Sequence, residues 1–224
     1  MTLYFQYDKK VVELLKKDRR LAWAMEEIGP VRREVDPDLF SALILQIISQ
    51  QISTKGALTI WERLRQALGE ISPDNVGRAS DETIQKCGMS RRKVEYIKDC
   101  TRKVSEGTLD LKSLQKLPDE EVCRKLSELK GIGLWTAEML MTFSMQRPDI
   151  MSWGDIAIHR GLRMLYRHRR ITRELFDKYR RHYSPYASVA CLYLWAVAGG
   201  ACTGLTDPAP MSEAQKKLKK RRKK

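Results

Sequence analysis

Residues that ligate metals or cross-link chains are scarce in this sequence. Three histidines (His159, His168, His182) and five cysteines in 224 residues leave no spacing of the zinc-binding kind. Cys87, Cys100, Cys123, Cys191 and Cys202 are odd in number and never pair as C-x-x-C, which predicts reduced thiols in a cytosolic setting rather than a disulfide framework. Long apolar runs are absent and no signal-peptide pattern opens the chain, so a membrane partner is not expected. Alternating strand patterns longer than a few residues are missing too.

Positive charge is abundant. The net charge is +14, and eight lysines and arginines fall within residues 216–224, leaving +6 for the rest. A body this basic points to DNA or RNA rather than a small acidic metabolite. Residues 208–224 are expected to be a disordered basic arm that adds salt-sensitive, sequence-blind affinity for nucleic acid, or that serves solubility. With 42% hydrophobic and 31% charged residues, the chain can bury one large core or two small ones.

The periodicity is helical throughout. Val11, Val12, Leu14, Leu15, Leu21, Ala24, Met25 and Ile28 recur at helical spacing over residues 8–28, and Gly29-Pro30 stops them. Asp36-Pro37-Asp38 opens a strongly apolar helix over residues 39–52, ending in Ser49-Gln50-Gln51-Ile52-Ser53-Thr54. That polar end reads either as a plain cap or as a surface element with a task. Residues 55–68 carry Trp61 on an amphipathic helix; Trp61 and Trp23 read as core. Ser72-Pro73-Asp74 and Ser80-Asp81 open helices, Gly88 breaks one, and Pro118-Asp119-Glu120-Glu121 sets acids at the positive end of another. Helical patterns continue over 162–167, 172–183 and 185–198, with Gly199-Gly200 as a stop. The prediction is an all-α chain of roughly ten helices joined by short connections.

Residues 125–161 stand apart. A helical pattern flanks the turn Gly131-Ile132-Gly133, a loop follows, and Asp155 opens the next helix. A Gly-x-Gly turn feeding a helix gathers main-chain N–H groups at the positive end of a dipole, which suits a phosphate. On its own the turn also reads as an ordinary αα-hairpin, and Asp155 as a simple N-cap.

Together these residues resemble a known family. Leu129-Lys130-Gly131-Ile132-Gly133-Leu134-Trp135-Thr136-Ala137, followed twenty residues after Trp135 by Gly154-Asp155, is similar to the helix-hairpin-helix (HhH-GPD) DNA glycosylase superfamily. Within it, the likeness is strongest to 3-methyladenine DNA glycosylase II, the alkylpurine branch. It extends over about residues 10 to 200, including Ile48-Ser49-Gln50-Gln51-Ile52-Ser53, Gly88-x-Ser90-x-x-Lys93-x-x-Tyr96-Ile97 and Leu194-Trp195. The resemblance implies a compact two-lobed all-α fold without an extra N-terminal domain. One lobe would comprise 1–36 plus 126–207 with the hairpin and Asp155, the other 37–125, with the site in the cleft between them.

It also implies the chemistry: base excision repair of duplex DNA containing damaged bases, by flipping out an alkylated purine of the 3-methyladenine or 7-methylguanine type and hydrolysing its N-glycosidic bond. Asp155 would be catalytic, since an ionised carboxylate stabilises the oxocarbenium-like charge that grows on the sugar. Trp135, Trp195, Trp153 and Met139 would line the base pocket, where indole faces attract a cationic purine. Gln51, with Gln50 and Ile52 as neighbours that share the role, would fill the gap in the duplex. The main-chain N–H groups of Gly131, Gly133 and Thr136 would bind DNA phosphate. Carbonyls of Ser127, Leu129 and Ile132 match positions that hold a monovalent cation, Na+ or K+, in relatives. No other cofactor is implied, and the lack of four C-terminal cysteines separates the chain from the iron–sulfur branch. His159 is expected to pack at the surface and Arg160 to make a structural salt bridge. A monomer in the cytoplasm, associated with the nucleoid, is the expected setting. A glycosylase for hypoxanthine or 8-oxoguanine, or a non-catalytic helix-hairpin-helix DNA-binding module, are the rival readings.

Trp135 stands where strand-nicking relatives place a lysine that forms a Schiff base with the sugar. Borohydride trapping on lesion-bearing duplex is therefore expected to give no covalent protein–DNA adduct, scored by denaturing gel. A trapped band would restore a lyase step.

Overall fold

The computed structural model describes residues 3–209; the polybasic segment 210–224 lies outside them. Thirteen helices form among the described residues: α1 (Lys9–Leu15), α2 (Arg19–Ile28), α3 (Leu39–Ser49), α4 (Thr54–Leu68), α5 (Pro73–Arg78), α6 (Asp81–Lys86), α7 (Arg91–Ser105), α8 (Leu111–Leu114), α9 (Asp119–Ser127), α10 (Leu134–Phe143), α11 (Ile156–Tyr166), α12 (Arg173–Tyr183) and α13 (Ala187–Ala198). The sole additions to the all-α pattern in this region are the two-residue strands β1 (Leu3–Tyr4) and β2 (Glu34–Val35), paired antiparallel. No helix here is long and apolar enough to cross a membrane.

Side-chain caps set most of the boundaries. Asp38, Ser53, Ser72, Ser80, Ser90 and Asp155 each accept a first-turn N–H of the helix that follows. Asp18 does the same for Arg20 and Leu21, both at 2.9 Å, and so splits the continuous pattern of residues 8–28 into α1 and α2. Trp23 on α2 is 40% exposed, against the expectation of a core tryptophan. Leu21, Ala24 and Met25 face inward instead, and Trp23 lies off that stripe. Trp61 is half-buried.

The chain divides into two compact units. The first holds Glu34–Arg147 with the residues up to Phe5, and the second holds Gln6–Arg33 with the chain from Pro148 onward. In the first, α3 is the centre: Leu43, Ile44, Ile47 and Ile48 are fully buried, and α4, α7 and α10 pack on it. The hairpin segment belongs here, so the boundary falls after Arg147 rather than at 125/126 as the sequence suggested. The reason is packing: α10 buries Ala137, Leu140 and Met141, contacts α9 and α3, and Phe143 accepts the Asp36 N–H at 3.2 Å.

In the second unit α13 is central, with α2, α11 and α12 around it. Every residue from Ala187 to Leu194 is buried. Helices α11 and α13 approach closely because Gly161 lacks a side chain; a Cβ there would collide with the Leu194 backbone. Gly161→Ala gains up to about 1 kcal/mol of helix propensity but overpacks a backbone contact at a cost of about 1–3 kcal/mol. Thermal unfolding should therefore show a lower Tm than wild type; an unchanged or raised Tm would mean that the helices separate freely.

Candidate active site

The turn between α9 and α10 has the form its glycines predict. Gly131 sits at φ +81°, in the left-handed region, and a Cβ there would strike the Tyr96 ring. Gly133 differs: its φ is −91°, and a Cβ would meet nothing within 4 Å. Its lack of a side chain is therefore not a demand of the fold, and it leaves open space at the helix N-terminus. No side-chain cap bond closes α10 and its first turn carries no acid, so that turn brings no anion of its own to the positive dipole end. On that first turn Leu134 and Trp135 are 58% and 43% exposed, whereas the Thr136 side chain is buried. Met139, one turn on, is 5% exposed and belongs to the core of α10, not to an open wall. Leu129 and Ile132 bury their side chains, and the Leu129 carbonyl accepts the Ile132 N–H at 3.1 Å. A carbonyl oxygen has a second lone pair, so this bond leaves the Leu129 oxygen able to accept another contact.

The end of α3 is built against this turn. The helix stops at Ser49 rather than at residue 52; Gln50 is extended and Gln51 is left-handed at φ +57°. An exposed glutamine in that conformation costs about 1 kcal/mol or more and needs neighbours to hold it. Lys93 Nζ donates to the carbonyls of Ile48 (2.6 Å) and Gln50 (2.8 Å), and burial pulls the Lys93 ammonium below its ordinary lysine value. Gln50 Nε2 donates to the Gly131 carbonyl at 2.6 Å. Gln50 is thus committed to the hairpin and not shared with Gln51 as a wedge. Gln51 itself is exposed, and Ile52 is 39% exposed.

In the second unit, Asp155 is the N-cap of α11 and is buried, at 6% exposure. Its Oδ1 accepts the N–H groups of Ala157 (2.8 Å) and Ile158 (2.9 Å) and the indole Nε1–H of Trp195 (3.2 Å). Three donors on one oxygen fix the plane of the carboxylate. Ile156, the first residue of α11, is 82% exposed beside this buried acid. Trp153 is differently employed. Its ring meets His159 at 4.6 Å and Phe176 at 5.1 Å, and the Arg173 guanidinium lies 5.2 Å from its centroid. Those contacts pack the half-buried ring within the second unit. His159 Nε2 lies 2.8 Å from the Trp153 carbonyl, and burial lowers its pKa; it packs half-buried, not at the surface. Arg160 lies 3.9 Å from Asp207, which Arg163 holds bidentately at 2.8 and 2.5 Å, as the salt-bridge expectation had it.

Sequence reading gathered Gln51, Trp135, Asp155 and Trp195 around one cleft and put the hairpin and Asp155 in one lobe; the hairpin, Trp135 and Gln51 belong to the first unit, and Asp155 and Trp195 to the second. It missed the bond from Trp195 to Asp155, the commitment of Gln50, and the exposed Leu134 and Ile156. The motif Ser90-x-x-Lys93-x-x-Tyr96 was a signal left unread: its lysine and tyrosine, one helical turn apart, serve the α3 loop and the Gly131 turn. Among the described residues no group of three histidine, cysteine, aspartate or glutamate side chains could hold a metal ion.

A bare helix N-terminus behind a glycine turn and a lone buried acid capping a later helix define a helix-hairpin-helix protein. The chain belongs to the HhH-GPD superfamily of base excision DNA repair proteins, which it matches over residues 44–185. It is similar to a DNA-3-methyladenine glycosidase of Bacillus halodurans, whose crystal structure shares 38% identity and a TM-score of 0.78 over 88% of this chain and 93% of the other. DNA-3-methyladenine glycosylase 1 of Schizosaccharomyces pombe is 30% identical over 79% of this chain and 80% of that protein. A 3-methyladenine DNA glycosylase of the same yeast, solved in complex with abasic DNA, shares 26% identity and a TM-score of 0.75 over 87% of this chain and 100% of its own.

The two glycines should separate in stability measurements. Gly131→Ala forces a side chain into a left-handed position at a cost of about 1–2 kcal/mol, before the clash with Tyr96 is counted. Gly133→Ala should leave the Tm near that of wild type. Equal losses for the two variants would contradict the assignment of open space at Gly133.

Proposed function

We propose that this protein is a monofunctional DNA glycosylase that flips alkylated purines of the 3-methyladenine and 7-methylguanine type out of duplex DNA and hydrolyses their N-glycosidic bond, leaving an abasic site. The observation that carries this reading is Asp155: a buried carboxylate held on one oxygen by two helix N–H groups and the Trp195 indole. A DNA-binding module has no need for a buried acid oriented in this way.

An N-alkylated purine is already cationic. When its bond to C1′ breaks, the electron pair goes to the base, which leaves neutral and needs no general acid. Positive charge remains on the sugar, and the Asp155 carboxylate stabilises it. Water adds to C1′ and gives up its proton to the carboxylate. One carboxylate is enough for this substrate class. Trp195 orients the carboxylate, and an indole face, at Trp195 as at Trp135, attracts a cationic base. Tryptophan at 135 cannot form a Schiff base, so the strand is left intact.

The remaining residues serve grip and extrusion. Main-chain N–H groups of Gly131, Gly133 and Thr136 bind a backbone phosphate without reading sequence. Gln51 enters the stack to replace the flipped base, which lowers the cost of unstacking. The carbonyls of Ser127, Leu129 and Ile132 would hold a monovalent cation, which would supply positive charge near the gripped phosphate. Duplex DNA carrying damaged bases is the partner, bound by a monomer, and the cytoplasmic nucleoid is where such a substrate lies. The names of the three relatives cited above, 3-methyladenine glycosylases or glycosidases, support the choice of substrate class.

Asp155→Asn should lower single-turnover excision of 3-methyladenine and 7-methylguanine from methylated duplex by at least about 10²-fold, the scale of one lost charge-stabilising group. Duplex affinity, measured by fluorescence anisotropy, should change by only a few-fold. Excision by the variant at the wild-type rate would overturn the mechanism. Release of 8-oxoguanine or hypoxanthine with no release of 3-methyladenine would overturn the substrate.

A further inference from the structure

We propose that Lys93 and Gln50 are positioning residues that lock the Gln51 loop to the hairpin, so that the grip on backbone phosphate sets the offset at which Gln51 enters the duplex. The inference rests on the reading of the hairpin as phosphate clamp and of Gln51 as wedge. It adds a link between the two that neither role contains.

The geometry forms a closed triangle. Helix α7 supplies one side: Lys93 and Tyr96 lie one turn apart, close enough to share a face of the helix. Lys93 takes the carbonyls of Ile48 and Gln50 at 2.6 and 2.8 Å. Those oxygens are at the C-terminal end of α3, where helix carbonyls lack partners and the dipole is negative. Tyr96 sets its ring against Gly131, leaving no room for a Cβ. Gln50 closes the figure by donating Nε2 to the Gly131 carbonyl at 2.6 Å. Three elements far apart in sequence are thereby fixed, and each fixed point is adjacent to a working residue. Gln50 is bonded to Gln51, and Gly131 is two residues from Gly133.

The left-handed backbone of Gln51 is what this arrangement maintains. With the carbonyls on its N-terminal side bound to an ammonium, the loop cannot relax by rotating Gln50, and the strained turn persists. A wedge on a slack loop would be displaced by the stacked bases, whereas a wedge braced against the clamp transfers backbone binding energy into base extrusion. Misplacement by about 1 Å is enough to cost on the order of 10²-fold in rate.

Three variants test the link. Gln50→Met keeps the side-chain length and removes the donor; Lys93→Met removes the ammonium; Lys93→Arg keeps a charged donor. On the free protein, hydrogen exchange is read over residues 49–53 and 128–133. Gln50→Met should accelerate both segments together, by about tenfold, as expected when a local bracket is lost without global unfolding. On DNA, a duplex carrying an uncleavable lesion analogue beside 2-aminopurine reports extrusion by fluorescence, and anisotropy on the same duplex reports affinity. Gln50→Met and Lys93→Met should slow extrusion by about tenfold or more with affinity within about threefold, and Lys93→Arg should recover most of the loss.

Acceleration of 49–53 alone, with the hairpin unmoved, would overturn the link. So would extrusion at the wild-type rate in both Met variants, or a loss of extrusion that merely tracks a loss of affinity or Tm. A wild-type protein that binds duplex but gives no extrusion signal would instead sink the glycosylase reading, while the exchange data would still decide whether the bracket exists.

Discussion

One oxygen atom, Oδ1 of Asp155, is where the second unit converges. It closes the first turn of α11 through two N–H groups and receives the indole of Trp195 from α13. Burying a carboxylate costs several kcal/mol unless donors compensate, so the placement of α13 against α11 is part of the site. That placement depends on Gly161, where the Leu194 backbone comes close enough to exclude a methyl group, and Leu194 precedes Trp195 in the chain. Close helix packing and the orientation of the acid are thus one arrangement.

The first unit solves a different problem, which is to hold two short irregular segments without helical hydrogen bonds of their own. The Gly131 turn and the Gln50–Gln51 loop each contain a left-handed residue. Neither would persist in isolation, because such conformations are locally uphill. Both lean on α7, through Tyr96 and Lys93, and on each other through Gln50. Irregular backbone carried on rigid helices is the usual setting for binding residues.

Membership in the HhH-GPD superfamily and the geometry of the two units bear on the proposed chemistry in a consistent way. A substrate that departs as a neutral base requires charge stabilisation on the sugar but no second carboxylate, and a single acid is what α11 offers. A cationic substrate also favours indole over lysine in its surroundings, since a neighbouring ammonium would repel it. Under the proposed reaction, tryptophan rather than lysine at 135 suits the same class of base.

The sequence by itself determined the local events. Apolar periodicity marked nearly every helix, and capping residues such as Asp38, Ser90 and Asp155 marked their starts, because those interactions span three or four residues. The hairpin glycines and the acid after them were legible for the same reason, reinforced by family likeness. Partners far apart in the chain were not legible. Gln50 reaches Gly131 across 81 residues, Lys93 reaches Ile48 across 45, and Trp195 reaches Asp155 across 40. Nothing in a residue's own neighbourhood says whether a glutamine will point at solvent or at a distant carbonyl, or that Trp153 will meet His159 and Phe176 edge to face. The packing of α10 on α3, which assigned the hairpin to the first unit, and the fit of Gly161 against α13 settled those questions. Such choices depend on which buried surfaces meet, and only the tertiary structure decides that.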